Sequence, residues 1–255
     1  MGGWDTTVSR LVHFFDGGRV AIGRKALVTS VIVLIVLAMA PVCSGKSAST
    51  SRTVSCDSVE YRYDLSSPSQ DEMLPAVLLL HGAGDHADSF IETWKRIAGK
   101  KHVVLIAPDL PREVKFEQAA PSVFRCVVED AKQHALIDPR RVYVFGHSMG
   151  GYLAYDAAMF DSEYFAAVAV HAMRIDDDYT WILGRAKRKT PIAIYIGDRD
   201  QAVPVSQVRQ TRELLVHAGF PVHYVELKGH DHNYYDLADS INEDAWNFLS
   251  EQRLP

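Results

Sequence analysis

Positive charge is in deficit along this chain. Lys and Arg number 27 against 32 Asp and Glu, a net charge of −5, and no basic stripe with interleaved aromatics occurs. That excludes the electrostatic footprint of nucleic-acid binding. Cysteine is scarce: Cys43, Cys56 and Cys126 are the only three. They form no thiolate cluster, and no further His or Cys group supplies a third ligand to the His230-x-His232 pair, so no metal site is expected. No internal repeat is visible. The N-terminal apolar run, Ala26 to Ala40, has 15 residues, short of the roughly 20 that a membrane span needs. With 47% apolar and 23% charged residues, the remainder is ordinary globular material, enough for one core.

The sequence does hold a β-branched and aromatic run, Arg141 to Phe145, that ends in Gly146-His147-Ser148-Met149-Gly150. A serine hydroxyl becomes a nucleophile when it projects toward a base, and a sharp strand-to-helix turn achieves that projection. Glycines on both sides let strand and helix approach closely there. A glycine-rich connection with an incidental serine reads the same five residues otherwise; the surrounding motifs decide. Leu74 to Leu80 is a continuous apolar run, as in a buried parallel strand, and breaks into His81-Gly82-Ala83-Gly84-Asp85. This loop lacks the third glycine of a dinucleotide fingerprint. Its free amides instead suit an oxyanion, with Ala83 and Met149 as the two donors.

Two polar motifs follow at the ends of further strands. Thr190 to Ile196 opens into Gly197-Asp198-Arg199-Asp200, where Asp198 and Asp200 compete for the acid that orients an imidazole. Pro221 to Leu227 runs into Gly229-His230-Asp231-His232-Asn233-Tyr234-Tyr235. Either histidine is placed to be the base. The chain order Ser, Asp, His belongs to one hydrolase architecture. Strand patterns at Ser58 to Asp64 and Val103 to Ala107, and helical spacing of Phe124, Val127, Val128, Ala131 and Ala135, alternate as a parallel α/β sheet demands.

Over residues 58 to 252 the chain resembles the α/β-hydrolases, in particular the small esterases and thioesterases with little or no lid. Leu80 to Asp85 is similar to their oxyanion loop, and Gly146 to Gly151 to their nucleophile elbow. The resemblance implies a mostly parallel central sheet with helices on both faces and a minimal lid. The family's G-x-x-D-x-x-V-P pattern falls on Gly197, Asp200, Val203 and Pro204, which implies Asp200 as the acid. Asp231 to Tyr235 looks like the D-H-S-Y-Y of the S-formylglutathione hydrolase and esterase D relatives, which favours His232. The commoner G-H ending keeps His230 as the alternative.

The expected activity is serine hydrolysis of a small-molecule carboxylic ester or thioester, with no cofactor. A prolyl-peptidase-like peptidase and a catalytically silent binding protein are the competing readings, because fold does not fix function. No accessory domain favours the first, and the full set of motifs argues against the second. The segment from His171 to Lys189, about twenty residues, is too short for a large cap. Trp181, Tyr234 and Phe116 are candidates for an apolar substrate wall.

The N-terminus departs from the globular pattern. Arg19, Arg24 and Lys25 precede Ala26 to Ala40, and Ala38-Met39-Ala40 offers a cleavage site, so an exported protein, secreted or in the cell envelope, is expected. An uncleaved anchor associating with membrane through residues 26–43, and a lipidated Cys43, are the alternatives; Val42 disfavours the second. Residues 1–44 are thus read as tail and signal, 45–57 as a flexible linker of small polar composition, and 58–255 as the catalytic domain. Cys56 and Cys126 would be the cysteines of the mature domain, paired or free.

Overall fold

The computed structural model describes residues 49–110 and 121–255. Ala26 to Ala40, Cys43 and Phe116 lie outside the described residues. Eight strands form one sheet: Thr50–Cys56 (β1), Val59–Ser66 (β2), Leu74–Leu80 (β3), Val104–Pro108 (β4), Ile137–His147 (β5), Ala167–His171 (β6), Ile192–Gly197 (β7) and Val222–Leu227 (β8). Their order is β1-β2-β4-β3-β5-β6-β7-β8. The first two strands pair antiparallel, β2 pairs antiparallel with β4, and from β4 to β8 every pairing is parallel.

Continuous apolar runs make these central strands because both faces are covered. Leu78 and Leu80 of β3 point into one core with helices Pro121–Ala131 (α3), Met149–Phe160 (α4) and Val205–His217 (α5). Val77 and Leu79 point into the other, against Ala87–Glu92 (α1), Lys95–Lys101 (α2) and Ala238–Ser250 (α6). All four are fully buried, each stabilising the fold by about 1.5–3 kcal/mol of apolar transfer. The parallel strands therefore all end on one edge, where the motif loops gather.

Two expectations change. Thr50–Cys56, within the stretch read as linker, is a strand, paired residue by residue with β2 from Thr50↔Leu65 to Cys56↔Val59. A disulfide joins Cys56 to Cys126 of α3, closing a loop with a sequence separation of 70. Ladder hydrogen bonds and this cross-link order a segment whose side chains, exposed over much of its length, bury little. The second change is smaller: α3 stops at Ala131, and Ala135 reaches the core from the following turn. Between β6 and β7 there is no cap. Asp177–Arg185 makes short 3-10 turns with Ile182 buried, pinned to α4 by the Tyr179 hydroxyl, which donates to Asp156 Oδ1 at 2.6 Å.

Candidate active site

Ser148 sits at the turn from β5 into α4 with φ 50° and ψ −115°, a conformation disfavoured for a side-chain-bearing residue by about 1–3 kcal/mol. Its amide donates to the His171 carbonyl at 2.9 Å, which helps hold the turn. The glycines on either side are required by space. A Cβ at Gly146 would run into the Gly150 carbonyl, and one at Gly150 into the carbonyl of Leu80. Strand β5, helix α4 and the end of β3 meet backbone to backbone.

His232 Nε2 lies 3.0 Å from Ser148 Oγ, and its Nδ1 lies 2.8 Å from Asp200 Oδ2. With the carboxylate ionised, Nδ1 carries the proton and donates it to Asp200, which leaves Nε2 free to accept from the hydroxyl. The Asp200 side chain is fully buried. Burial pushes its carboxyl up, but the hydrogen bond from His232 and the amides of Val203 and Ala202 outweigh that and hold it below the usual carboxylate range. Those amides donate to Oδ1 at 2.8 and 2.9 Å.

Asp198 and His230, the competing candidates, are placed elsewhere. Asp198 Oδ1 accepts from the Gly229 amide at 2.7 Å, so it ties the acid loop to the histidine loop. His230 is buried, its ring centroid 5.3 Å from that of His171, and its carbonyl accepts from the Arg199 amide. Its Nε2 has no hydrogen-bond partner among the described residues.

A cleft of about 420 Å³ opens over the serine, lined by Gly82, Ala83, Gly84, Asp85, His147, Ser148, His232 and Tyr235. Met149 is the first residue of α4, so its amide is among the donors that a helix N-terminus leaves without intrahelical partners. Ala83 and Met149 thus flank Ser148 from the two loops named in the sequence. A second cleft, about 580 Å³, is lined by His147, Arg199, Gln201, Ala202, Asp231, His232, Asn233 and Tyr235.

The apolar wall differs from expectation. Tyr234 has no exposed surface. Its hydroxyl donates to Asn242 Oδ1 at 2.6 Å, and its ring stacks beneath His147 at 5.5 Å, so it buttresses the site from within the core. Its neighbour Tyr235 is 43% exposed, lines both clefts and donates its hydroxyl to Asp85. Trp181 is 55% exposed and packs edge-on to Tyr179 and Phe160, lining neither cleft.

One pair was missed in the sequence. His147 and His171 end neighbouring parallel strands in register, and their Nδ1 atoms lie 3.0 Å apart. One must donate and the other accept. Burial, then the nearby His232, pushes His147 down to about 4; burial and the surrounding histidines hold His171 well below its ordinary value. Two histidines at the carboxyl ends of apolar strands were the available signal.

The alpha/beta hydrolase family matches residues 77–178. No curated protein matches the chain. Among solved structures, a thermostable esterase is similar with a TM-score of 0.66 and 25% identity over 80% of this chain, which spans 63% of that esterase. Fluorophosphonate-binding serine hydrolase F of Staphylococcus aureus has a TM-score of 0.70 at 15% identity, covering 80% of this chain and 99% of its own. An S-formylglutathione hydrolase from Agrobacterium tumefaciens has 0.62 at 18%, covering 82% and 96%. At those last two identities the likeness concerns the fold. The order and direction of the strands are those of the alpha/beta hydrolase fold, and the match to that family runs from β3 through helix α4 to residue 178.

Proposed function

We propose that the protein is a serine hydrolase that cleaves carboxylic esters or thioesters through an acyl-enzyme on Ser148. The observation that carries this reading is the unbroken hydrogen-bonded path Asp200–His232–Ser148, at 2.8 and 3.0 Å, opening on a cleft beside the glycine loop. Ser148 Oγ attacks the acyl carbon while His232 Nε2 takes its proton, and the amides of Ala83 and Met149 receive the charge that develops on the carbonyl oxygen. His232 then protonates the leaving oxygen or sulfur. Water, activated by the same imidazole, releases the acid and restores the serine. The uncapped segment between β6 and β7 favours soluble or short-chain acyl groups, and the likeness to an esterase at 25% identity supports an ester bond as the target.

Ser148→Ala tests this directly. Alanine fits the same turn but offers no nucleophile, so hydrolysis of p-nitrophenyl acetate should fall about 10⁴-fold or more, and labelling by a fluorophosphonate probe should vanish. A folded variant that keeps most of its activity would sink the mechanism. Export is part of the same proposal. It is supported by the Cys56–Cys126 disulfide, since such bonds persist in oxidising compartments, and by the apolar run Ala26 to Ala40 with its small-residue site.

A further inference from the structure

The two clefts share His147, His232 and Tyr235 as a common wall, but they differ in what else they contain. The first holds Ser148 and the oxyanion loop. The second reaches the reaction centre only through the histidines. In acyl transfer the acyl carbon must sit at the serine, whereas the group that His232 protonates is the leaving oxygen or sulfur. A space lined by His232 and not by Ser148 is therefore where a leaving group extends.

Gln201, Asn233, Asp231 and Arg199 are among the side chains that line that second cleft. Arg199 is exposed, and its guanidinium has no hydrogen-bond or ion-pair partner among the described residues; only its backbone amide is engaged, with the His230 carbonyl. Several other arginines carry ion pairs, as Arg96 does with Asp239 and Glu243 and Arg209 with Glu226. The nearby acid, Asp231, lies outside ion-pair distance and accepts the Asn233 amide at 2.8 Å through Oδ1. Position is fixed by the chain itself: Arg199 immediately precedes Asp200 on the acid loop, so it stands beside the imidazole's partner.

We propose that this cleft is the leaving-group subsite and that Arg199 selects alcohols or thiols bearing a carboxylate. A planar guanidinium presents paired donors that match a carboxylate. The inference rests on the serine-hydrolase reading above, and the test separates the two. Four esters are compared: 4-acetoxybutanoate and its neutral counterpart 4-acetoxybutanamide, charged or not on the alcohol side, and monoethyl succinate and ethyl succinamate, charged or not on the acyl side. Each kcat/KM is read as a charged-to-neutral ratio, so any general loss in a variant cancels.

The wild type should prefer 4-acetoxybutanoate over its amide about five- to tenfold at low salt, as a partly exposed charged hydrogen bond allows, and less as ionic strength rises. Arg199→Gln should bring that ratio to about one and leave the acyl-side ratio within about twofold of the wild type's. Turnover of the amide ester without any alcohol-side preference, or a preference that survives in Arg199→Gln, would overturn the subsite alone. A drop in the acyl-side ratio instead would overturn it by assigning the cleft to the acyl group. Failure of the folded wild type to cleave any of the four esters would remove the hydrolase reading, and the subsite with it.

Discussion

His230 and His232 stand two positions apart on one loop, yet Gly229 turns at φ 73° just before them and sends their rings different ways. The first packs into the core beside His171; the second joins Asp200 to Ser148. If His232 is the base, His232→Ala should lose about as much activity as the serine variant, on the order of 10⁴-fold, because the hydroxyl cannot be deprotonated near neutral pH without it. His230→Ala should lose about tenfold or less, since it removes a ring that touches no reacting atom. Steady-state rates of the two purified variants decide the matter, and the reverse ranking would move the base. At this scale the sequence was legible where a motif fixes a backbone turn, as at Ser148 with its two glycines, and illegible where adjacent residues exchange faces. Tyr234 and Tyr235 are chemically alike, and only the turn that buries one and exposes the other assigns Tyr235 to the clefts.

Among the elements, β3 and β7 were readable because strands covered on both sides need unbroken apolar runs, and such runs stand out. The first strand carried no such mark. It is an edge strand paired on one side only, with a mostly exposed, small and polar sequence, and its order comes from ladder bonds and the link to α3. That link makes a prediction. With a separation of 70 residues, the cross-link should stabilise the fold by about 4 kcal/mol through the entropy it removes from the unfolded chain. Replacing both Cys56 and Cys126 by serine should lower the urea midpoint accordingly, with β1 the first segment to exchange its amide hydrogens. If the chain is exported and cleaved after Ala40 as proposed, its intact mass reads the pairing at the same time: a chain starting at Pro41, two hydrogens lighter than its reduced form. A reduced protein with its N-terminal segment retained would argue against both the cross-link and cleavage.

Buried titrations of opposite sign act on the molecule as a whole. His147 is held neutral, its value pushed down to about 4 chiefly by burial. Above its unfolded value, about 6.5, it adds no pH dependence; as pH falls below that, the unfolded chain binds the proton first and stability is lost, by about 2 kcal/mol at pH 5. Asp156, buried in α4 beneath the 3-10 segment, is pushed up to about 6 by burial, partly opposed by the Tyr179 hydroxyl. Its sign is reversed. Above about pH 6 the buried carboxylate costs about 3 kcal/mol relative to a neutral group, and that cost fades as pH falls toward the unfolded value, about 3.9. Between pH 7.5 and 5 the gain from Asp156 offsets the loss from His147 only in part, and His171, held well below its ordinary value by the same burial, adds to that loss, so the wild type should lose stability as pH falls through this range. Asp156→Asn keeps an acceptor for Tyr179 and removes the carboxylate, so it should be more stable than the wild type at pH 7.5 by about 2–3 kcal/mol. Its advantage should shrink steadily toward pH 5, exposing the full histidine-driven slope. Urea unfolding of both proteins at pH 7.5, 6 and 5 provides the comparison. An Asn variant that is less stable at pH 7.5, or whose difference from the wild type does not change with pH, would mean that Asp156 is not the buried, proton-binding carboxyl that its surroundings make it.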